Sequence, residues 1–131
     1  MTTDRVPCRK FILGGAIMDK IYDSCCGIDV HKKLIVACLR KGNRQEVREF
    51  GATTRELLEL ADWLKTSDCK MVAMESTASY WKPLYNILES SDLNAMVVNA
   101  RHMKAVPGRK TDVKDAEWIA DLLQHGLLQP S

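Results

Sequence analysis

The chain has 131 residues, 46% of them hydrophobic and 27% charged, with a formal net charge of +2. That length is one domain's worth of chain, able to bury about two thirds of its unfolded surface, and the composition excludes a disordered or fibrous protein. A charge so near zero excludes the whole molecule as a polyanion binder, so any affinity for nucleic acid must come from a local cluster.

Residues 1–24 read as a flexible N-terminal extension and 25–131 as the ordered domain, with Met18 a candidate natural start. Arg5, Arg9 and Lys10 precede the apolar run Phe11 to Met18, but that run is eight residues long, contains Gly14 and Gly15, and meets Asp19 with no small-x-small cleavage pattern. It is therefore read neither as a signal peptide nor as a span, which needs about 20 apolar residues. "CCGIDV" from Cys25 predicts a short buried strand, "LIVACLR" a second, "KGNR" a turn, and the alternating "QEVREFG" a third strand with one wet face. Thr53 and Glu56 form a T-x-x-E capping box for a helix running to about Lys65. "KMVAME" predicts a strand covered on both faces. Ser79 is positioned to cap a helix with Trp81, Leu84, Tyr85 and Leu88 on one face and Pro83 in its first turn. "NAMVVN" is a fifth strand, and a basic segment leads to a last helix from Asp112 to about His125. The order βββαβαβα is that of a mixed-sheet α/β fold.

The five cysteines, Cys8, Cys25, Cys26, Cys38 and Cys69, are odd in number and form no C-x-x-C pair. A disulfide framework and a zinc knuckle are both disfavoured, and a reducing cytoplasm is the expected compartment, with no membrane as partner.

Four carboxylates stand out. Asp29 lies inside the first core strand and Glu75 ends the apolar strand "KMVAME", where open α/β sheets bind ligands. Asp112 and Asp115 stand at a helix start, where a cap and the helix dipole already account for them. At about 100° per residue the stripe Val113, Ala116, Ile119, Ala120, Leu123 and Leu127 is centred within roughly 50° of Asp112, with Asp115 near its edge, so both can lean toward the sheet. Taken singly each acid fits a solvated or capping role; gathered, four acids repel and call for a cation such as Mg²⁺. Beside them "RHMKAVPGRKTDVK" carries Arg101, Lys104, Arg109, Lys110 and Lys114, either a solvated loop or a phosphate-binding rim. His31 reads as an exposed lone histidine, and Trp81 and Tyr85 as core residues sooner than base-stacking ones.

Three stretches in order, "GIDVHK" (27–32), "MESTASYWKPLYNILE" (74–89) and "VPGRKTDVKDAEWIADLLQHGLL" (106–128), resemble the N-terminal domain of the DEDD transposases of the insertion-sequence one-hundred-and-ten family, RNA-guided recombinases related to the pilin-gene invertases. The resemblance covers about Cys25 to Ser131 and implies a ribonuclease-H-like fold similar to the Holliday-junction resolvases. By it, Asp29, Glu75, Asp112 and Asp115 are the catalytic acids and ligands of Mg²⁺ or Mn²⁺. DNA and a guide RNA are the implied partners, and a homo-oligomer the implied state of the full-length protein. The family's activity is metal-dependent DNA strand cleavage and transfer, completed by a C-terminal domain with a serine nucleophile. That domain is expected to lie outside this chain, leaving it inactive alone. Ala78 departs from the family pattern, which has glycine there. The alternative is a non-catalytic module that binds guide RNA or dimerises. "GIDV" is also similar to the first phosphate motif of actin-like sugar kinases, but His31 and Lys32 stand where that class needs glycine and threonine.

Overall fold

The structure, a computed structural model, describes residues 11–13, 16–18, 22–76, 78–98 and 115–128. Strands β1 (Phe11–Leu13) and β2 (Ala16–Met18) form an antiparallel hairpin inside the segment expected to be a flexible extension. There follow β3 (Ser24–Val30), β4 (Leu34–Lys41), β5 (Arg44–Gly51), α1 (Thr54–Thr66), β6 (Met71–Ser76), α2 (Trp81–Ser90), β7 (Ala95–Val97) and α3 (Asp115–Gln124). From β3 onward the described elements keep the predicted βββαβαβα order. The main sheet runs β5-β4-β3-β6-β7. β3, β4 and β5 make an antiparallel meander, while β6 pairs parallel with both β3 and β7.

Alternation along the central strands builds two different faces. Cys26, Ile28 and Val30 of β3 and Val72 and Met74 of β6 point into the larger core, filled by Leu57, Leu60 and Leu64 of α1 and Leu84 and Leu88 of α2. Burying each such side chain stabilises the fold by about 1.5–3 kcal/mol. The opposite face carries small residues, Cys25, Gly27, Ala73 and Cys38, and there α3 lies with Ala116, Ile119, Ala120 and Leu123. α3 is buried almost all round, Trp118 and Asp121 included, which a single apolar stripe does not predict.

All three described helices end in the same way. The N–H of Cys69, Leu93 and Leu127 donates to the carbonyl of Leu64, Leu88 and Leu122, and that of Asp68, Asp92 and Gly126 to Lys65, Glu89 and Leu123. This Schellman closure sets its central residue left-handed, at φ 58°, 61° and 72° for Asp68, Asp92 and Gly126. At the start of α1, Thr53 Oγ1 accepts from Glu56 N at 3.3 Å as predicted, while the Glu56 carboxylate turns back to accept from Gly51 N at 2.9 Å. Ser79 does not cap α2. The helix begins at Trp81 with Tyr80 at the cap position and no side-chain cap. β5 departs from the expected single wet face: as an edge strand it is exposed from Arg44 to Glu49.

Cys25, Cys26, Cys38 and Cys69 are free and buried. Burial pushes the Cys38 and Cys69 thiols up to about 11, so they stay protonated and unreactive near neutral pH. No helix among the described residues is long and apolar enough to cross a membrane.

Candidate active site at the carboxyl end of the central strands

β3 and β6 run parallel with Asp29 directly opposite Glu75, each one residue from the end of its strand. By alternation Asp29 shares the face of Gly27, and Glu75 that of Ala73, so both carboxyls lie on the α3 side of the sheet. Asp29 is 7% exposed and Glu75 half-buried. What brings α3 to them is the absence of a side chain at Gly27. A Cβ there would stand 2.3 Å from Ala120 N and 2.6 Å from Ala116 O. The helix therefore starts over the strand segment carrying Asp29, and Asp115, the residue before Ala116, joins the group.

The electrostatics record this proximity. Burial raises the Asp29 carboxyl above its ordinary range, His31 opposes the shift, and the charge of Asp115 adds to it. Glu75 is raised by burial, then by the charges of Asp29 and Asp115. The hydrogen bond between the two carboxyls favours ionised Asp29 and protonated Glu75. The two carboxyls are thus coupled through this contact. His31, read from sequence as a lone exposed residue, is about half exposed but engaged, its Nε2 2.9 Å from Asp29 Oδ2. The D-x-H spacing was the available signal, since residues two apart at a strand end share a face.

The other end of α3 is tied down by a buried polar cluster. Arg40 Nη1 donates to Asp121 Oδ1 at 3.1 Å, His125 Nδ1 donates to the Asp121 carbonyl at 2.9 Å, and Gln124 Nε2 to the Gly42 carbonyl at 3.3 Å. With Asp121 2% exposed, this pair sets the position of the helix along the sheet.

Of the sequence-predicted acids, the structure gathers Asp29, Glu75 and Asp115; Asp112 lies outside the described residues, as do Arg101, Lys104, Arg109, Lys110 and Lys114. Among the described residues no group of three or more His, Cys, Asp and Glu is arranged to hold a metal ion. Trp81 and Tyr85 pack edge-to-face at 5.7 Å against the α1/α2 core, the structural role expected of them. Ala78, in the turn after β6, takes φ 55°. That left-handed conformation explains why the resembled family has glycine there.

No curated protein sequence matches the chain. Among solved structures it is similar to T. thermophilus RuvC in complex with Holliday junction substrate, with TM-score 0.59 and 9% identity over 82% of this chain and 99% of that one. A second Thermus thermophilus RuvC structure gives TM-score 0.53 and 10% identity over the same shares. At such identities the likeness is one of fold, and it makes the mixed sheet described above ribonuclease-H-like. The family model of the IS110 DEDD transposases, described as "Transposase", matches residues 26–131. That stretch takes in β3 with Asp29, β6 with Glu75 and α3 with Asp115, and the chain belongs to the DEDD transposase family.

Proposed function

We propose that this domain is the acidic catalytic centre of a DNA strand-cleaving and strand-transferring transposase, with Asp29, Glu75, Asp112 and Asp115 as its acids. The observation that carries the reading is the Asp29–Glu75 pair, set in register on parallel strands with the charge of Asp115 on both. A buried cluster of acids is costly without a counter-charge, and its donors are carboxylate oxygens, the ligands of Mg²⁺ and Mn²⁺. The residues present fit such an ion, and Asp29, Glu75, Asp112 and Asp115 would hold it. Bound there, it would supply Lewis-acid activation of a DNA phosphate.

The chain's own residues do the rest. His31 orients the Asp29 carboxylate through its 2.9 Å contact. Glu75 stands in register opposite Asp29, its carboxyl raised above the ordinary range by burial. Arg101, Lys104, Arg109, Lys110 and Lys114, which precede α3 in the sequence, would contact backbone phosphates and fix the strand without reading its sequence. A guide RNA would supply the sequence choice, and the serine nucleophile would come from a C-terminal domain of the family's full-length proteins.

The alternative is a non-catalytic module that binds guide RNA. Mn²⁺ binding followed by electron paramagnetic resonance separates the two. The catalytic reading expects a site that Asp29→Asn and Glu75→Gln each weaken at least about tenfold, in line with the loss of one ligand or its orienting partner. Equal Mn²⁺ affinity in the native chain and both variants, with RNA binding retained, would leave the module reading standing.

A further inference from the structure

The outer edge of β5 is built as a self-complementary pairing surface. β5 closes the sheet on one side, and among the described strands it pairs only with β4. Its backbone phase follows from two hydrogen bonds. Gly51 N donates to Glu56 Oε1 at 2.9 Å, and the Leu34 carbonyl accepts from His31 N at 2.9 Å, so the facing pair Leu34–Gly51 exchanges no bonds of its own. Antiparallel ladders alternate bonded and non-bonded pairs. Counting back by twos, Val36–Glu49, Cys38–Val47 and Arg40–Gln45 are also non-bonded. The N–H and C=O groups of Gln45, Val47 and Glu49 therefore point away from β4, along an exposed strand.

We propose that β5 pairs antiparallel with β5 of a second copy of this chain, about a two-fold axis through Val47, joining two five-stranded sheets into one. Charge selects the register. With the axis at Val47, the outward-facing Gln45, Val47 and Glu49 meet Glu49, Val47 and Gln45 of the partner subunit. Glu46 then stands opposite Arg48 of the partner subunit, and Arg48 opposite the partner's Glu46. Moving the axis one residue sets Glu46 against Glu46 or Arg48 against Arg48. An axis at Gln45 matches Arg44 with Glu46 but engages only the turn end of the strand. Only the Val47 axis joins the strand over its length with opposite charges facing, and it covers Val47, 37% exposed, with its own copy. Arg48 is already held for this contact, its guanidinium 4.6 Å over the Trp63 ring and its Nε 2.7 Å from Glu46 Oε2. Less side-chain freedom is then lost on pairing.

The test is sedimentation equilibrium of the full chain and of Glu46→Arg, Arg48→Glu and Val47→Pro variants, with circular dichroism to register folding. The native chain is expected to dimerise with concentration. Each charge variant should raise the dimer Kd by about tenfold or more, since two facing pairs turn from attraction to repulsion. Mixed one to one, the two charge variants should recover the native affinity, because every facing pair in the mixed dimer is again arginine against glutamate. Val47→Pro keeps every β4 hydrogen bond, because the lost N–H faces outward, and should be monomeric. A native chain that stays monomeric at millimolar concentration overturns the proposal. So does a dimer insensitive to Val47→Pro, or a charge-variant mixture no tighter than the variants alone. The mixture is read only where circular dichroism shows both charge variants folded; where one is not, the native chain and Val47→Pro decide the question.

Discussion

Replacing Gly27 with alanine should loosen the seat of α3 and the acidic site together. The added Cβ would lie 2.3 Å from Ala120 N, 2.6 Å from Ala116 O and 2.8 Å from Ala120 Cα, where carbon contacts settle at about 3.5 Å or more. All three atoms are helix backbone, which cannot swing aside as a side-chain tip can, so α3 must withdraw by about 1 Å. Overpacking of this kind costs about 1–3 kcal/mol. Replacing glycine returns about 0.4–1 kcal/mol through the less mobile unfolded chain. The net loss of about 1–2 kcal/mol corresponds, for a domain of this size, to a Tm lower by about 3–8 °C, measurable by calorimetry. The same withdrawal carries Asp115 away from Asp29 and Glu75. Mn²⁺ affinity should therefore fall in the alanine variant although no acid has been changed. A Tm within about 1 °C of the native value together with unchanged Mn²⁺ affinity would refute the idea that Gly27 seats the helix.

The acidic pair gives a pH dependence with a definite sign. Asp29 and Glu75 are raised in the folded chain, chiefly by burial. Each therefore contributes stability that is fully present below its unfolded value, near about pH 4, and lost as pH rises through its folded value. Thermal unfolding of the metal-free chain should show stability falling over that range, less steeply in Asp29→Asn; stability that climbs there would count against the pair. Ala78→Gly should stabilise the chain by about 0.5–1 kcal/mol in denaturant titration, by relieving φ 55°, and no gain would mean the turn is unstrained. Arg40→Leu should cost about 3–5 kcal/mol by taking the guanidinium away from the buried Asp121 carboxyl, while the double change with Asp121→Leu should recover most of it. An additive loss in the double variant would show that the pair does not act as a unit.

The sheet was legible because its strands carry plain signals: near-continuous apolar runs at the centre, a two-residue turn at Gly42–Asn43, and a period that switches at Thr53. Asp29 and Glu75 were legible as acids out of place in apolar strands, and Asp115 through the position of the family motif. What stayed hidden depends on tertiary contact. Gly27 reads as an ordinary strand glycine until Ala116 and Ala120 lie against it. Nothing in the helix's own sequence marks Asp121 as buried; its partner Arg40 lies 81 residues earlier. His31 reads as a lone exposed histidine because no H-x-E or H-x-x-x-H partner stands near it, whereas its role is a hydrogen bond to Asp29 made from a half-exposed position. The β1–β2 hairpin leaves no periodic signal, because three-residue strands are too short for a period to show.

These features bear on one another through α3. Gathering carboxylates works against folding, since Asp29 and Glu75 are both raised by burial and the charge of Asp115 adds to each. Contacts remote from the acids have to hold them together. The small-residue seat at Gly27 fixes how closely α3 approaches, and the Arg40–Asp121 pair near its far end fixes where along the sheet it stops. Neither contact touches the site, yet shifting either moves Asp115 relative to Asp29. The sequence can therefore keep an electrostatically unfavourable cluster at the strand ends, because the helix that completes it is secured by burial and by a paired charge about one and a half turns away, from Asp115 to Asp121.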